Sequence, residues 1–303
     1  MVADALAMPV HWYYDTAALD RDYGTIDRFI EPRNPHPDSI LWRSKYVARN
    51  RKGEILHDQA KFWGQRGVHY HQFLESGENT VNFKLGRELY RWIVDEGRYD
   101  ADGWLARYIE VMRTPGWHRD TYLEEYHRAF FDNLARGKSP RGCGIDDVHI
   151  GGLTHVPFLL AGLAQIGEED LDTHVARVRG HLELTHRNRE VLRAGEALTR
   201  MVHAVADGAG LRLAVESEAS AWAPRDGWSG LAELRDREIV GRIFSPACYL
   251  PESFSASLAL SWKYADDFSA GVRVNAECGG DNCHRGVVVG SLLGVACGVP
   301  DRL

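Results

Sequence analysis

Apolar residues recur at intervals of three and four along most of the chain, the pattern of helices that bury one face. The clearest stripe joins Val81, Leu85, Leu89 and Ile93 and ends before Gly97. Similar stripes predict helices over 101–113, 119–135, 153–165, 168–184, 187–207, 228–239, 252–264 and 266–276. No stretch alternates as strands do, so the predicted class is all-α, a multi-helix bundle in one domain over 1–303.

A helix of very small residues is predicted near the end of the chain. Gly286, Gly290, Gly294 and Gly298 recur every four residues and share one face, which would let another backbone approach closely. The apolar run is about a dozen residues, whereas a bilayer needs about 20. We therefore expect a buried central helix.

Polar residues stand where this helix begins. Asp281, Cys283 and His284 would meet unpaired N–H groups and the positive end of the helix dipole, which favour anions and lower a thiol pKa. The simpler interpretation is that Asp281 or Asn282 caps the helix.

A second polar cluster precedes the helix that starts near Val81. His69 and His71 form an H-x-H pair that would face one side of a strand, where it could bind a metal or substrate. Asn79 or Thr80 is the expected helix cap, and both are candidate substrate contacts.

A third cluster lies between two predicted helices. Asp146 and Asp147 are adjacent, flanked by glycines and followed by His149. Paired carboxylates in such a loop are typical of a cation or general-base site. Turn formation and helix capping would explain the same residues.

Residues 15–65 read as an irregular insertion. The run Pro32 to Pro37 contains three prolines and excludes a helix interior. A long irregular segment in a compact domain is often a lid, and otherwise a surface loop.

Composition narrows the function. The formal net charge is −7 without a basic run, which argues against nucleic acid as a partner. No signal peptide or membrane span is visible. Five cysteines without a C-x-x-C pair suggest reduced thiols, and we expect a cytoplasmic protein with no membrane partner.

Four segments together resemble the ADP-ribosylglycohydrolase family, which includes jellyfish lens crystallins. Asp4 to Val10 looks like the family's GDALGxPxE, and Gly77 to Thr80 sits where the family has TDDT. Leu184 to His186 matches an LTH element, and Gly279 to Asp281 with the glycine-spaced helix matches GGDxDTxAxxxGxxxGA. The resemblance implies an orthogonal helical bundle of that type.

The resemblance also implies a central cleft where two magnesium ions help to cleave a ribosyl bond of ADP-ribose. Thr80 and Asp281 keep the family's residue, but other positions depart from it. The replacements are His11 for the glutamate after proline, Glu78 and Asn79 for the paired aspartates, Cys283 and His284 for the last Asp and Thr, and Asp146 to His149 for GNGAxMR. Thiolate and imidazole suit magnesium poorly, so we expect no standard dimagnesium centre.

Three functions stay open, each with residues of this cleft. In the first, a diverged hydrolase cleaves a ribosyl or nucleotide-like glycoside, with Glu78, Asp146 and Asp147 as acid and base. In the second, Cys283 is a nucleophile whose base is His69, His71 or His149, since His284 would point about 100° away on a helix. In the third, the protein is a non-catalytic, crystallin-like relative.

Cofactor and ligand expectations follow from the same residues. A single divalent metal on Asp281 and Glu78 is one possibility, either magnesium or a softer zinc or iron held with Cys283, His284 and a nearby histidine. The expected partner is a small nucleotide- or ribosyl-like substrate. Trp12 could stack on its base or sugar and Arg285 could pair with a phosphate, although ordinary packing explains both.

Overall fold

The computed structural model describes residues 1–301. Within this range the chain is all-α, with isolated β-bridges but no β-strand. The fold class predicted from the sequence is confirmed. The α-helices are α1 (Val2–Ala7), α2 (Thr16–Tyr23), α3 (Val81–Glu96), α4 (Ala101–Met112), α5 (Glu125–Ala135), α6 (Val156–Gln165), α7 (Leu171–Leu182), α8 (Arg189–Ala206), α9 (Leu211–Glu218), α10 (Asp236–Ile239), α11 (Glu252–Lys263), α12 (Phe268–Glu277) and α13 (Asn282–Cys297).

Helix α13 lies at the centre, packed against α1, α8, α11 and α12. Its glycine face makes this possible. A Cβ added at Gly290 would lie 2.9 Å from the Cβ of Ala3 in α1, and one at Gly286 would lie 3.3 Å from the same atom. The glycines therefore bring α1 against the central helix, as the four-residue spacing predicted.

The segment 15–65 is less irregular than expected, because it contains α2. Asp15 caps this helix: its side chain accepts hydrogen bonds from the backbone of Ala17 and Ala18. The remainder of the segment includes the 3-10 turns Leu41–Arg43 and His57–Phe62. A helix of eight residues leaves only two turns of periodic pattern, too short to stand out among the prolines that follow.

Two predicted helices are shorter than their patterns. The stretch 228–239 divides into a 3-10 turn, Trp228–Leu231, and the short α10. The stretch 119–135 becomes helical only at Glu125, because the backbone N–H of Thr121 donates to the carbonyl of Tyr70 instead. The non-helical residues 119–124 carry the side chains of Asp120 and Glu124 into the interior.

Buried apolar side chains from Ala3 to Leu293 belong to one contiguous cluster. A smaller cluster of Trp12, Leu41, Val68 and Tyr70 packs beside the candidate site. No helix among residues 1–301 has the length and apolarity to cross a bilayer.

Candidate active site

The turn before α13 is fixed by two glycines with left-handed backbones. Gly279 and Gly280 both have φ of 63°, and a Cβ on either would lie 2.2 Å from a carbonyl oxygen, that of Tyr13 or Pro246 respectively. The backbone N–H of Gly280 donates to the carbonyl oxygen of Tyr13 at 2.6 Å, and that of Asp281 donates to the carbonyl oxygen of Pro246 at 2.9 Å. These contacts hold Asp281 in the interior.

Asp281 is the central acceptor of the site. Its Oδ1 receives hydrogen bonds from Nε2 of His11 at 2.8 Å and from Nδ1 of His284 at 2.7 Å. Its Oδ2 is buried without a hydrogen-bond partner. Burial raises the pKa of Asp281, but His284 and His11 outweigh burial and hold this pKa well below its usual value. Asp281 is therefore a carboxylate with one free oxygen.

Two imidazoles link Asp281 to a second buried carboxylate. Nδ1 of His11 lies 2.7 Å from Nε2 of His71, whose Nδ1 lies 2.7 Å from Oδ1 of Asp120. Each of the three contacts in this row needs one hydrogen: two contacts are with ionised carboxylates and one joins two ring nitrogens. The four ring nitrogens of His11 and His71 therefore carry three hydrogens, so one ring carries two. Burial lowers the pKa of His11 to about 3. The row of hydrogen bonds therefore couples Asp281 to Asp120 through the two imidazoles.

On the other side, His284 links Asp281 to Glu124. Nε2 of His284 lies 3.4 Å from Oε1 of Glu124 and 2.9 Å from Nδ2 of Asn82. Burial lowers the pKa of His284, but Asp281 and Glu124 outweigh it and raise the pKa to about 9; burial also raises the pKa of Glu124.

Glu124 and His284 hold one proton between them in two arrangements. The Oδ1 of Asn82 accepts from Tyr126 at 2.6 Å and from His127 at 2.8 Å, so Nδ2 faces His284. That orientation suits a neutral His284 beside a protonated Glu124, whereas the raised pKa of His284 suits an imidazolium beside a carboxylate. Either way, a transferable proton is held next to Glu124.

A cavity of about 330 Å³ opens above these groups. It is lined by Trp12, Tyr14, Ile40, Arg43, Tyr70, Tyr122, Glu124, Glu125, Asp147, His149, Ala247, Cys248 and Tyr249. A carboxylate oxygen of Asp281, a ring nitrogen of His149 and Sγ of Cys248 lie within 4.8 Å of one another, which places Asp281 at the floor. Oε2 of Glu124 is also buried without a partner.

The donor set of this site favours hydrogen bonding over metal ligation. His11 and His284 both donate to Asp281 and present no lone pair to an ion there. Nδ1 of His149 accepts from the backbone of Gly151 at 2.9 Å, so in the neutral ring Nε2 carries the hydrogen. Burial raises the pKa of the Cys248 thiol, so without a metal this side chain is a neutral thiol.

The predicted ligands before α3 make contacts of another kind. Glu78 pairs with Lys84 at 2.6 Å and with Arg119 at 2.5 Å. Asn79 and Thr80 donate to the carboxylate of Asp4, in three hydrogen bonds of 2.8–2.9 Å. Their polar groups are thus occupied within the protein.

Cys283 lies on the face of α13 that packs against α1. Its side chain is fully buried, with Sγ 3.8 Å from the backbone oxygen of Asp4. Burial raises the pKa of this thiol well above its usual value. The lowered pKa that the nucleophile hypothesis requires is the opposite of what the structure shows.

The remaining predicted residues divide between the cavity and the scaffold. Trp12, Asp147 and His149 line the cavity, and burial raises the pKa of Asp147. Asp146 accepts from Asn188 at 2.7 Å at an exposed position. Nε2 of His69 lies 3.0 Å from the carbonyl of Pro9, so His69 joins two chain segments and His71 alone of the H-x-H pair enters the network.

Arg285 supports the glycine turn from below. Its buried guanidinium donates to Asn275 and to the carbonyl of Gly279, each at 2.8 Å. Its predicted pairing with a phosphate has no support in these contacts, because the guanidinium is buried and donates to Asn275 of α12 and to Gly279 of the turn.

Sequence reasoning missed Glu124 and Asp120 as site residues and treated His11 only as a departure from the family pattern. The missed signal is the segment His118 to Glu125, a polar cluster before an apolar helix like the three that were noticed. Its overlap with a helical stripe hid it, because Tyr122 and Leu123 fit the helical spacing although they are not in a helix.

Among residues 1–301 the fold is all-helical, with a polar centre beneath a cavity. A sequence model of the ADP-ribosylglycohydrolase family matches residues 1–302, so the chain belongs to that family. A solved structure described as an ADP-ribosylglycohydrolase-related protein complex is similar in fold, with a TM-score of 0.53 and 19% identity over 99% of this chain and 90% of that one. Comparison with curated protein sequences gave no significant match.

Proposed function

We propose that this protein hydrolyses a ribosyl glycosidic bond with a pair of carboxylates, without the dimagnesium centre of the family's active members. The observation that carries the proposal is the placement of Asp281 and Glu124, which lie on either side of His284. Each has a buried oxygen without a partner. Their surroundings lower the pKa of Asp281 and raise that of Glu124. Such a divergence assigns the roles of base and acid.

The proposed reaction uses these roles directly. Oδ2 of Asp281 takes a proton from water, and the water oxygen forms a bond to the anomeric carbon. The glycosidic bond breaks, its electron pair stays with the leaving atom, and Glu124 passes to that atom the proton that it shares with His284. His284 lies between the two carboxylates and holds their geometry. The Nε2 hydrogen of His149 is available to orient the water.

The donor chemistry supports the metal-free mechanism. Magnesium prefers near-octahedral oxygen ligands. Glu78 pairs with Lys84 and Arg119, and Asn79 and Thr80 donate to Asp4. Around Asp281 the hydrogen-bonded neighbours are the imidazoles of His11 and His284, which supply no oxygen ligand for a magnesium ion at Oδ2. The five free cysteines fit a reducing compartment such as the cytoplasm.

The test is turnover of ribosyl substrates in the presence of EDTA, compared with added magnesium. We expect the same rate in both, and loss of that rate in Asp281→Asn and Glu124→Gln. The matched control is Asp146→Asn, which changes an exposed carboxylate next to the cavity residue Asp147. A rate that requires magnesium would contradict the proposal. Absence of turnover with every ribosyl substrate would favour the non-catalytic relative.

A further inference from the structure

The cavity above Asp281 has aromatic walls. Trp12, Tyr14, Tyr70, Tyr122 and Tyr249 line it. The ring centroid of Trp12 lies 4.6 Å from that of Tyr70 and 5.1 Å from that of Tyr122, both edge to face, so these rings form one continuous surface. Aromatic faces stack on heterocyclic bases and attract cations.

The charged groups of the cavity are mainly acidic. Glu124, Glu125 and Asp147 line it, and Asp281 lies beneath them. Among the described residues that line it, Arg43 is the single lysine or arginine, and its side chain is exposed to solvent. Phosphates carry negative charge, and like charges repel strongly where water is excluded.

Two arginines of the adjoining pocket, which shares Glu125 with this cavity, are already engaged. Arg49 pairs with Asp132 at 2.9 Å. The guanidinium of Arg128 lies over the ring of Trp63, 5.2 Å from its centroid, while its Nε donates to the carbonyl of Leu123. The cavity thus combines aromatic surface with negative charge and has little to neutralise a diphosphate.

We propose that the cavity takes an unphosphorylated riboside with an aromatic base, neutral or cationic, in preference to a nucleoside diphosphate sugar. The inference rests on the proposed hydrolysis at Asp281 and names its substrate class. Water adds to the anomeric carbon and gives its proton to Asp281. The bond to the base nitrogen breaks and its electron pair goes to that nitrogen. A cationic base thereby leaves neutral, whereas a neutral base takes the proton of Glu124.

Binding can be measured apart from turnover in Asp281→Asn, which keeps the size of the side chain and removes the base that cationic and neutral ribosides both need. Isothermal titration with nicotinamide riboside, inosine and ADP-ribose compares a cationic riboside, a neutral riboside and a diphosphate. We expect the cationic riboside to bind more tightly than ADP-ribose by at least about tenfold, a ratio that titration resolves easily. Tighter binding of ADP-ribose would overturn the inference.

A charge variant tests the cause of this order. Glu125→Gln removes one negative charge from the cavity wall and should narrow the ratio between nicotinamide riboside and ADP-ribose. Glu233→Gln removes an exposed charge outside the cavity and should leave the ratio unchanged. An unchanged ratio in Glu125→Gln would count against the electrostatic argument.

Failure of the inference and failure of the proposed function are distinguishable. If the wild-type protein in EDTA hydrolyses ADP-ribosyl substrates and the ribosides do not bind, the substrate class is wrong and the metal-free mechanism stands. If the ribosides bind in the expected order and none is hydrolysed, the mechanism is wrong and the assignment of the cavity stands.

Discussion

Two polar turns, each followed by a long helix, have different roles in this fold. The turn Glu78–Thr80 before α3 directs its side chains to Lys84, Arg119 and Asp4. The turn before α13 places Asp281 under a cavity with one oxygen free. In the sequence, both turns show the same signal of polar residues before an apolar stripe.

The difference between the turns lies in their neighbours. A counter-charge or a hydrogen-bond donor on an adjacent element turns a polar cluster into scaffold, because buried polar groups have to be satisfied. Asp281 has two donors for one oxygen and none for the other. A buried polar side chain with unused hydrogen-bonding capacity is thus the candidate functional group, and a sequence pattern does not reveal this property.

The largest expected effect comes from making the same change on both turns. Asp281→Asn removes the proposed base and should lower kcat/KM by about 10²–10⁴-fold, the usual range for an acid–base group. Glu78→Gln breaks surface ion pairs and should leave kcat/KM near the wild-type value. Steady-state kinetics with a ribosyl substrate measures both. Equal losses in the two variants would place Glu78 back in the site.

Glycine substitutions separate the turns by stability. In Gly280→Ala the new Cβ would meet the carbonyl oxygen of Pro246 at 2.2 Å, with φ at 63°. We expect the free energy of unfolding to fall by more than about 3 kcal/mol. The backbone has to shift to relieve the clash, and the left-handed φ adds strain for alanine. In Gly77→Ala the Cβ would be 3.6 Å from Phe29, and we expect a loss of about 1–2 kcal/mol from the left-handed backbone alone.

Urea unfolding followed by circular dichroism measures both glycine variants. Similar losses in the two would mean that the turn before α13 can relax away from Pro246, and that the position of Asp281 is less constrained than its contacts indicate.

Part of the acid sensitivity of the fold should come from His149, which lies beside Asp281. Burial holds the pKa of His149 at about 3, below its unfolded value of 6.5. As the pH falls, His149 is protonated in the unfolded chain before it is protonated in the folded chain. Its contribution to the free energy of unfolding is therefore fully present above pH 6.5 and falls towards pH 3, by about 1.4 kcal/mol per pH unit. The pKa of Glu78 is also lowered, so its contribution is lost only below its ordinary value of 4.5.

Melting temperature measured between pH 7 and 5 separates these contributions. His149→Gln should flatten the slope in this window, whereas Glu78→Gln should leave it unchanged. His284 has the opposite sign: its raised pKa of about 9 gives stability below pH 6.5 that is lost as the pH rises through 9. A slope that is unaffected in His149→Gln would mean that this ring is charged in the folded state.

The smallest effect is expected for Thr80→Val. Its Oγ1 donates to Oδ1 of Asp4 at 2.8 Å, and loss of this buried hydrogen bond should cost about 1–2 kcal/mol of unfolding free energy. The value of kcat/KM should not change, because Thr80 lies in the scaffold. A collapse of activity with little loss of stability would instead indicate that Thr80 serves a metal.

The fold was largely predictable from the sequence, whereas the site was predictable only in part. Periodic stripes indicate helices because burial of one face is a local property, and α3 and α13 were found in this way. Asp281 and His149 were predicted because glycines and polar residues flank them, and the structure places both at the cavity. Glu124 was not predicted because its segment overlaps a helical stripe, and because its contact with His284, 160 positions away, is not visible in the sequence.

The row of side chains from Asp120 through His71 and His11 to Asp281 is almost closed to solvent. Its ring hydrogens should therefore exchange slowly with bulk water and give resolved downfield proton signals in nuclear magnetic resonance. Those signals would report without any label on the electrostatic state of the floor of the cavity. A ligand that binds at Asp281 should shift these proton signals even when it is not hydrolysed. The signals therefore provide a direct assay for screening ligands.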